Sequence, residues 1–150
     1  MIRYVQGNIF HSRTEAVVNP VNTVGVMGAG LALTFKRAAP ENFQIYRKAC
    51  KRRNFKLGSV LTVRLKNDRP VQYIINFPTK GFWGNPSRLE DIEAGLWALV
   101  REVEELEIES VSVPPLGCGL GGLRWSDVEP LIHDILGTAP FVRWFIFTPC

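Results

Sequence analysis

Residues 16–40 read AVVNPVNTVGVMGAGLALTFKRAAP, and three kinds of segment follow one another in it. Ala16 to Asn19 have the small and β-branched composition of a short strand buried on both faces. Gly25, Gly28 and Gly30 then make a glycine-rich turn. Leu31, Leu33 and Phe35 supply the apolar side of a helix that Pro40 ends. A buried strand that passes through glycine directly into a helix is the building unit of an α/β sheet.

The same unit recurs further along. SVSVPPL, from Ser110, reads as a strand, GCGLGGL as a second glycine-rich turn, and Ser126 with Glu129 as a capping box opening a helix to about Leu136. Between the two units lie a helix over about Glu41 to Arg53 and two strands. The first, SVLTVRL, alternates like an edge strand; the second, VQYIINF, is nearly all apolar like a central one. A loop holding Lys80 follows. Behind Pro86, Ser87 and Glu90 form the pattern of another capping box. Leu89, Ile92, Leu96, Leu99, Val103 and Leu106 then recur at helical spacing. Ile2 to Val5 reads as the first strand and FVRWFIF as the last. Strands alternating with helices predict a sheet covered on both faces, with ligands gathering at the C-terminal ends of its strands.

Size and composition narrow the function classes. At 150 residues the chain fits one domain, which buries roughly 70% of its unfolded surface. Apolar residues make up 46% and charged residues 21%, no apolar run approaches a membrane span, and the first residues carry no secretory signal. A cytoplasmic protein is expected. The final strand runs into FTPC with no tail, which suggests the N-terminal domain of a longer protein. Cys50, Cys118 and Cys150 are widely spaced, and His11 and His133 complete no zinc spacing, so reduced thiols and no structural metal are expected. The net charge of +4 favours an anionic partner without naming one.

Glycines let the backbone approach a ligand, and a helix N-terminus adds about half a positive charge, so each glycine-rich turn can hold phosphate oxygens. One such turn is often only a tight turn; two in one small domain point to a diphosphate. Neither is a Walker loop, and neither matches GxGxxG with its acidic ribose contact. Other candidates are weaker. Cys118 with His133 suggests a thiol and base, yet a cysteine between glycines packs as a small apolar filler. Arg47, Lys48, Lys51, Arg52, Arg53 and Lys56 could track a nucleic-acid backbone or simply be a solvated helix end. Glu102, Glu104, Glu105, Glu107 and Glu109 read as a solvated face.

VQGNIF, VVNPVNTVGVMGAGLALTFK, INFPTK, SRLEDIEAGL and VPPLGCGLGGLRW together resemble the macrodomain family of ADP-ribose-binding modules. The likeness is nearest to the DNA ADP-ribosyl glycohydrolase antitoxins (the DarG branch) and more distant to the terminal ADP-ribose protein glycohydrolase. It implies a three-layer α/β/α sandwich with a mixed central sheet. It also implies a catalytic role for Lys80 and contacts from Asn8 and Ile9 to the adenine side. The first turn, through Asn22, Thr23, Val26, Met27, Gly28 and Gly30, would wrap the distal ribose and one phosphate. The second, through Pro115, Gly117, Cys118, Gly119, Leu120, Gly121 and Gly122, would cradle the diphosphate. Apart from the resemblance, Trp83 as an aromatic beside Lys80 could stack on a nucleobase or equally belong to the core.

The activity implied is removal of ADP-ribose from thymine in single-stranded DNA, without metal or redox cofactor. The implied partner is a DNA ADP-ribosyltransferase toxin of the DarT kind that the protein counteracts. The alternatives are an ADP-ribose-binding module without activity and a protein-directed hydrolase. The second is weakened because Gly121 stands where the human relative has a catalytic aspartate. Ala29, where some antitoxin relatives have lysine, reads as loop variation. Burial of Lys80 against Phe82 and Trp83 would favour its neutral amine, whereas a nearby diphosphate would favour the ammonium.

Overall fold

The computed structural model describes residues 1–149; Cys150, the third expected thiol, lies outside them. The elements are β1 (Ile2–Val5), a 3-10 turn (Ile9–His11), β2 (Ala16–Asn22), α1 (Gly30–Ala38), α2 (Pro40–Lys51), β3 (Leu61–Arg64), β4 (Tyr73–Lys80), α3 (Leu89–Glu105), β5 (Ser110–Val113), α4 (Trp125–Leu136) and β6 (Arg143–Phe147). Six strands form one sheet in the order β1-β6-β5-β2-β4-β3. All neighbours are parallel except the edge strand β3, which runs antiparallel to β4. The sheet is therefore mixed and the expected three-layer sandwich is formed.

The period-2 alternation of β2 explains the layers. Ala16 and Val18 pack with Leu96 and Leu99 of α3 and Ile132 of α4, whereas Val17 packs with Phe35 of α1 and Val21 with Tyr46 of α2. Helix α3 sits unusually close to the sheet. A Cβ on its Gly95 would lie 2.8 Å from Phe77 Cε1 of β4, so only glycine permits the approach.

Several local expectations give way to tertiary contacts. Pro40 does more than end α1: it is the first residue of α2, a position where its missing N–H costs nothing. β2 runs three residues further than expected, through Pro20 to Asn22. Lys80 is the last residue of β4 and not part of a loop. β2 and β4 run in step as far as Val21 opposite Pro78; β4 then takes one extra residue, Thr79, and Asn22 faces Lys80.

Neither capping box forms. Arg88 and Arg124 occupy the N-cap positions of α3 and α4, with no side-chain cap in either case. Ser87 is drawn away by its backbone, whose N–H donates to Gly121 O at 2.9 Å, and Glu90 pairs with Arg88 at 2.5 Å. Ser126 falls inside α4, and Glu129 instead accepts the hydroxyl of Tyr4 at 2.6 Å.

Beneath the strand ends three fully buried asparagines join β2, β4 and α2. Asn76 Oδ1 accepts from Asn19 Nδ2 and Asn42 Nδ2, both at 3.1 Å, and Asn76 Nδ2 donates to Asn42 Oδ1 at 2.8 Å and to Leu61 O at 3.2 Å. Truncating the hub leaves two buried amides short of partners, at roughly 1–3 kcal/mol for each such group. Asn76→Ala is expected to lose about 3 kcal/mol in urea titrations. A loss below about 1 kcal/mol would show that the network adds little.

Candidate active site

The two glycine-rich turns meet over the C-terminal ends of β2, β4 and β5 and enclose a cleft of about 600 Å³. They lie face to face: a Cβ on Gly30 would be 3.7 Å from Leu120 Cδ1.

The first turn is built around Asn22. Its Oδ1 accepts the N–H groups of Val24 (3.1 Å) and Val26 (3.3 Å), and its Nδ2 donates to Val26 O at 2.8 Å. The hydroxyl of fully buried Tyr46 shares its proton between Asn22 Oδ1 (2.6 Å) and Asn22 O (2.8 Å), and burial above all pushes that phenol well above its ordinary pKa. Asn22 lines the cleft, but most of its amide is spent holding its own loop; one Nδ2 proton has no acceptor among the described residues. Sequence reasoning missed Tyr46. Its available signal was a hydroxyl-bearing residue on the apolar stripe of α2, four positions before Cys50.

The loop opens directly into α1, whose N-cap is Ala29 with no side-chain cap. Leu33 N–H is the first to bond back, to Ala29 O at 3.3 Å, so the N–H groups of Gly30, Leu31 and Ala32 have no helical acceptor. The second turn is closed by Cys118 N–H to Pro115 O (3.2 Å), Gly122 N–H to Gly119 O (3.1 Å) and Leu123 N–H to Gly117 O (2.9 Å). These bonds leave the N–H groups of Gly119, Leu120 and Gly121 without an acceptor among the described residues. Two sets of unpaired donors around one cleft suit a diphosphate, each hydrogen bond to a charged oxygen contributing about 1.5–3 kcal/mol.

Of the residues expected at the site, Asn22, Val26, Gly28, Gly30 and Lys80 line the cleft from one side, with Pro115, Gly117, Gly119, Leu120 and Gly121 across from them and Trp83 at the edge. The others lie outside the lining. Asn8 caps the 3-10 turn, its Oδ1 accepting Phe10 N–H at 2.9 Å, and buried Ile9 lines a separate cavity of about 370 Å³. Thr23 N–H ties the first turn to Gly81 O at 3.0 Å. Met27 is buried beneath the loop against Val21 and Tyr46. Gly122 takes a positive φ of 79° in closing the second turn.

Cys118 packs against the main core with Sγ 3.6 Å from Leu116 O, and burial raises its thiol pKa. His133 is exposed on α4 beside Asp134, and no hydrogen bond joins it to the thiol. The apolar-filler reading of Cys118 fits this packing.

Lys80 is half-buried and, among the described residues, makes neither a hydrogen bond nor an ion pair. Phe82 and Trp83 do not enclose it: they stack on each other with ring centroids 4.6 Å apart and stay 47% and 55% exposed. Gly121 cannot carry a side chain here, because a Cβ would overlap Ser87 Oγ and lie 2.6 Å from Gly117 O. An aspartate at that position would require the turn to move. No cluster of potential metal ligands occurs among the described residues, and none of their helices is long and apolar enough to cross a membrane.

Known proteins resemble this chain in sequence and fold. A DNA ADP-ribosyl glycohydrolase from Mycobacterium tuberculosis is 48% identical over 149 residues, which cover 99% of this chain and 42% of that protein. The chain spans about two fifths of the length of the first curated relatives it matches. The solved macrodomain of Mycobacterium tuberculosis DarG superposes with a TM-score of 0.98 at 48% identity, covering 100% of this chain and 99% of that one. Thermosipho africanus DarTG, solved in complex with ADP-ribose, gives a TM-score of 0.89 at 35% identity over 98% of this chain and 41% of that one. The Macro domain family model matches residues 18–132, from the middle of β2 through most of α4 and so across both turns, and the chain belongs to the macro domain family.

Proposed function

We propose that the protein is a DNA ADP-ribosyl glycohydrolase. It removes ADP-ribose from modified thymine in single-stranded DNA, in the cytoplasm, and so counteracts a DNA ADP-ribosyltransferase toxin. One observation carries the reading: Lys80 ends β4 at the cleft wall beside its register partner Asn22, with no hydrogen-bond or ion-pair partner among the described residues, next to two turns suited to a diphosphate. With the diphosphate held there, the distal ribose falls toward the Asn22 and Lys80 end, and the amine is the reactive group nearest the glycosidic bond. The names carried by relatives at 45–48% identity support DNA as the substrate. The closed backbone at Gly121 disfavours a mechanism that needs an aspartate there.

The test offers ADP-ribosylated single-stranded DNA and an ADP-ribosylated protein in parallel. Release from DNA is the expected result. Release from protein alone would overturn the reading, and binding of ADP-ribose with release from neither would leave a binding module.

A further inference from the structure

The charges of this chain are sorted by position in the fold. Residues 41–66 hold eight lysines and arginines against the single acid Glu41. Six of those cations, Arg47, Lys48, Lys51, Arg52, Arg53 and Lys56, lie on the last turns of α2 and just beyond; all are exposed, and none is ion-paired among the described residues. Glu102 to Glu109 gather around the end of α3, which leads into the start of β5 at the opposite pole of the sheet. A solvated helix end would account for exposed cations anywhere on the surface. It does not account for their adjoining the cleft.

They adjoin it through a continuous set of contacts. α2 packs on the first turn: a Cβ on Gly25 would lie 3.8 Å from Arg47 Cα and 3.4 Å from Cys50 Cβ. The next residue but one, Thr23, is tied to Gly81, and Gly81 leads into the exposed Phe82–Trp83 stack at the cleft edge. The end of α2 supplies a second observation. Arg53 adopts φ 56° where its N–H closes the helix onto Cys50 O, a left-handed position that favours glycine. Backbone strain is thus tolerated while a guanidinium is presented at this corner.

We propose that single-stranded nucleic acid crosses this face, its phosphates on the α2 cations and its bases on the Phe82–Trp83 shelf, so that a modified nucleotide arrives at the mouth of the cleft beside Lys80. A basic track next to stacking aromatics is how single strands are held without sequence readout, and the carboxylates at the far pole orient the approach. The inference builds on the functional reading above and adds the route of the strand.

Binding of an unmodified oligothymidylate tests it without any hydrolysis. The probe should bind the intact protein, and a Lys51→Ala, Arg53→Gly double variant should flatten the slope of log K against log salt by roughly 1.4, for two lost phosphate contacts. The same variant should hold its melting temperature, because glycine relieves the left-handed position, and should keep its affinity for free ADP-ribose. Trp83→Ala should weaken the oligonucleotide about tenfold. No binding by the intact protein, or an unchanged salt slope in the double variant, would overturn the route. Binding as described, together with no release of ADP-ribose from DNA, would instead remove the activity and leave the route standing.

Discussion

Lys80→Ala is expected to slow release of ADP-ribose from modified DNA by at least about 100-fold while leaving the affinity for free ADP-ribose nearly unchanged. The two halves of this result come from different parts of the site. The affinity is expected to rest on the N–H groups of α1 and the second turn that have no acceptor among the described residues, which a side-chain truncation at the end of β4 does not touch. The rate is expected to depend on the amine, the group proposed to act on the bond between ribose and base.

If the amine attacks the anomeric carbon, a C–N bond forms as the bond to the base breaks, and the base leaves with the electron pair and takes up a proton. Opening of the ribose ring then gives an imine, which borohydride reduces to a stable secondary amine. A mass increase on the Lys80 peptide would report that route. A large rate loss without an adduct would assign the amine to proton transfer or to charge stabilisation of the departing base. Undiminished turnover by a folded Lys80→Ala protein would remove Lys80 from the chemistry altogether.

Gly119→Val should abolish ADP-ribose binding without unfolding the protein. A Cβ at Gly119 meets nothing within 4 Å, so the free protein has room for the new side chain, which then occupies the space through which phosphate oxygens reach the backbone. At a ligand concentration 100 times its Kd, the unaltered protein should gain about 2.7 kcal/mol and the variant nothing. Thermal melts with and without ADP-ribose read this directly. A variant that folds and keeps the shift would place the phosphates elsewhere. Gly121 is unsuited to the same experiment, because substitution there strikes Ser87 and Gly117 O and would report on folding.

What was legible in the sequence was whatever a short window determines. The strand-glycine-helix unit at Ala16–Ala38, the apolar stripe of α3 and the burial of β4 depend on local periodicity, and they form, although β2 runs on to Asn22 and Leu106, the last residue of the expected stripe, caps α3 and stays exposed. The capping boxes failed because a local pattern met a tertiary competitor: the bond from Ser87 N–H to Gly121 O fixes Ser87 before its side chain can cap α3. Asn22 lines the cleft, and its use as the hub of its own loop depends on Tyr46, 24 residues away in the chain. The sheet order is non-local in the same way: β1 meets β6 only through long-range pairing. Lys80 stood out as a single amine between a buried strand and a helix start, while its membership of the strand depends on pairing with β2.

The extra residue in β4 puts two side chains opposite Asn22 where a regular ladder would put one. Thr79, the unmatched residue, places its hydroxyl 3.5 Å from Val21 O, and both it and Lys80 line the cleft. Removing Thr79 would bring the strands back into step with the lysine still facing Asn22, but would take away the local kink that a bulge gives the strand end and so re-aim the amine, with the lysine and both glycine-rich turns still present in the sequence. Substitutions test what these residues do; only a change in the length of β4 tests where the count puts them.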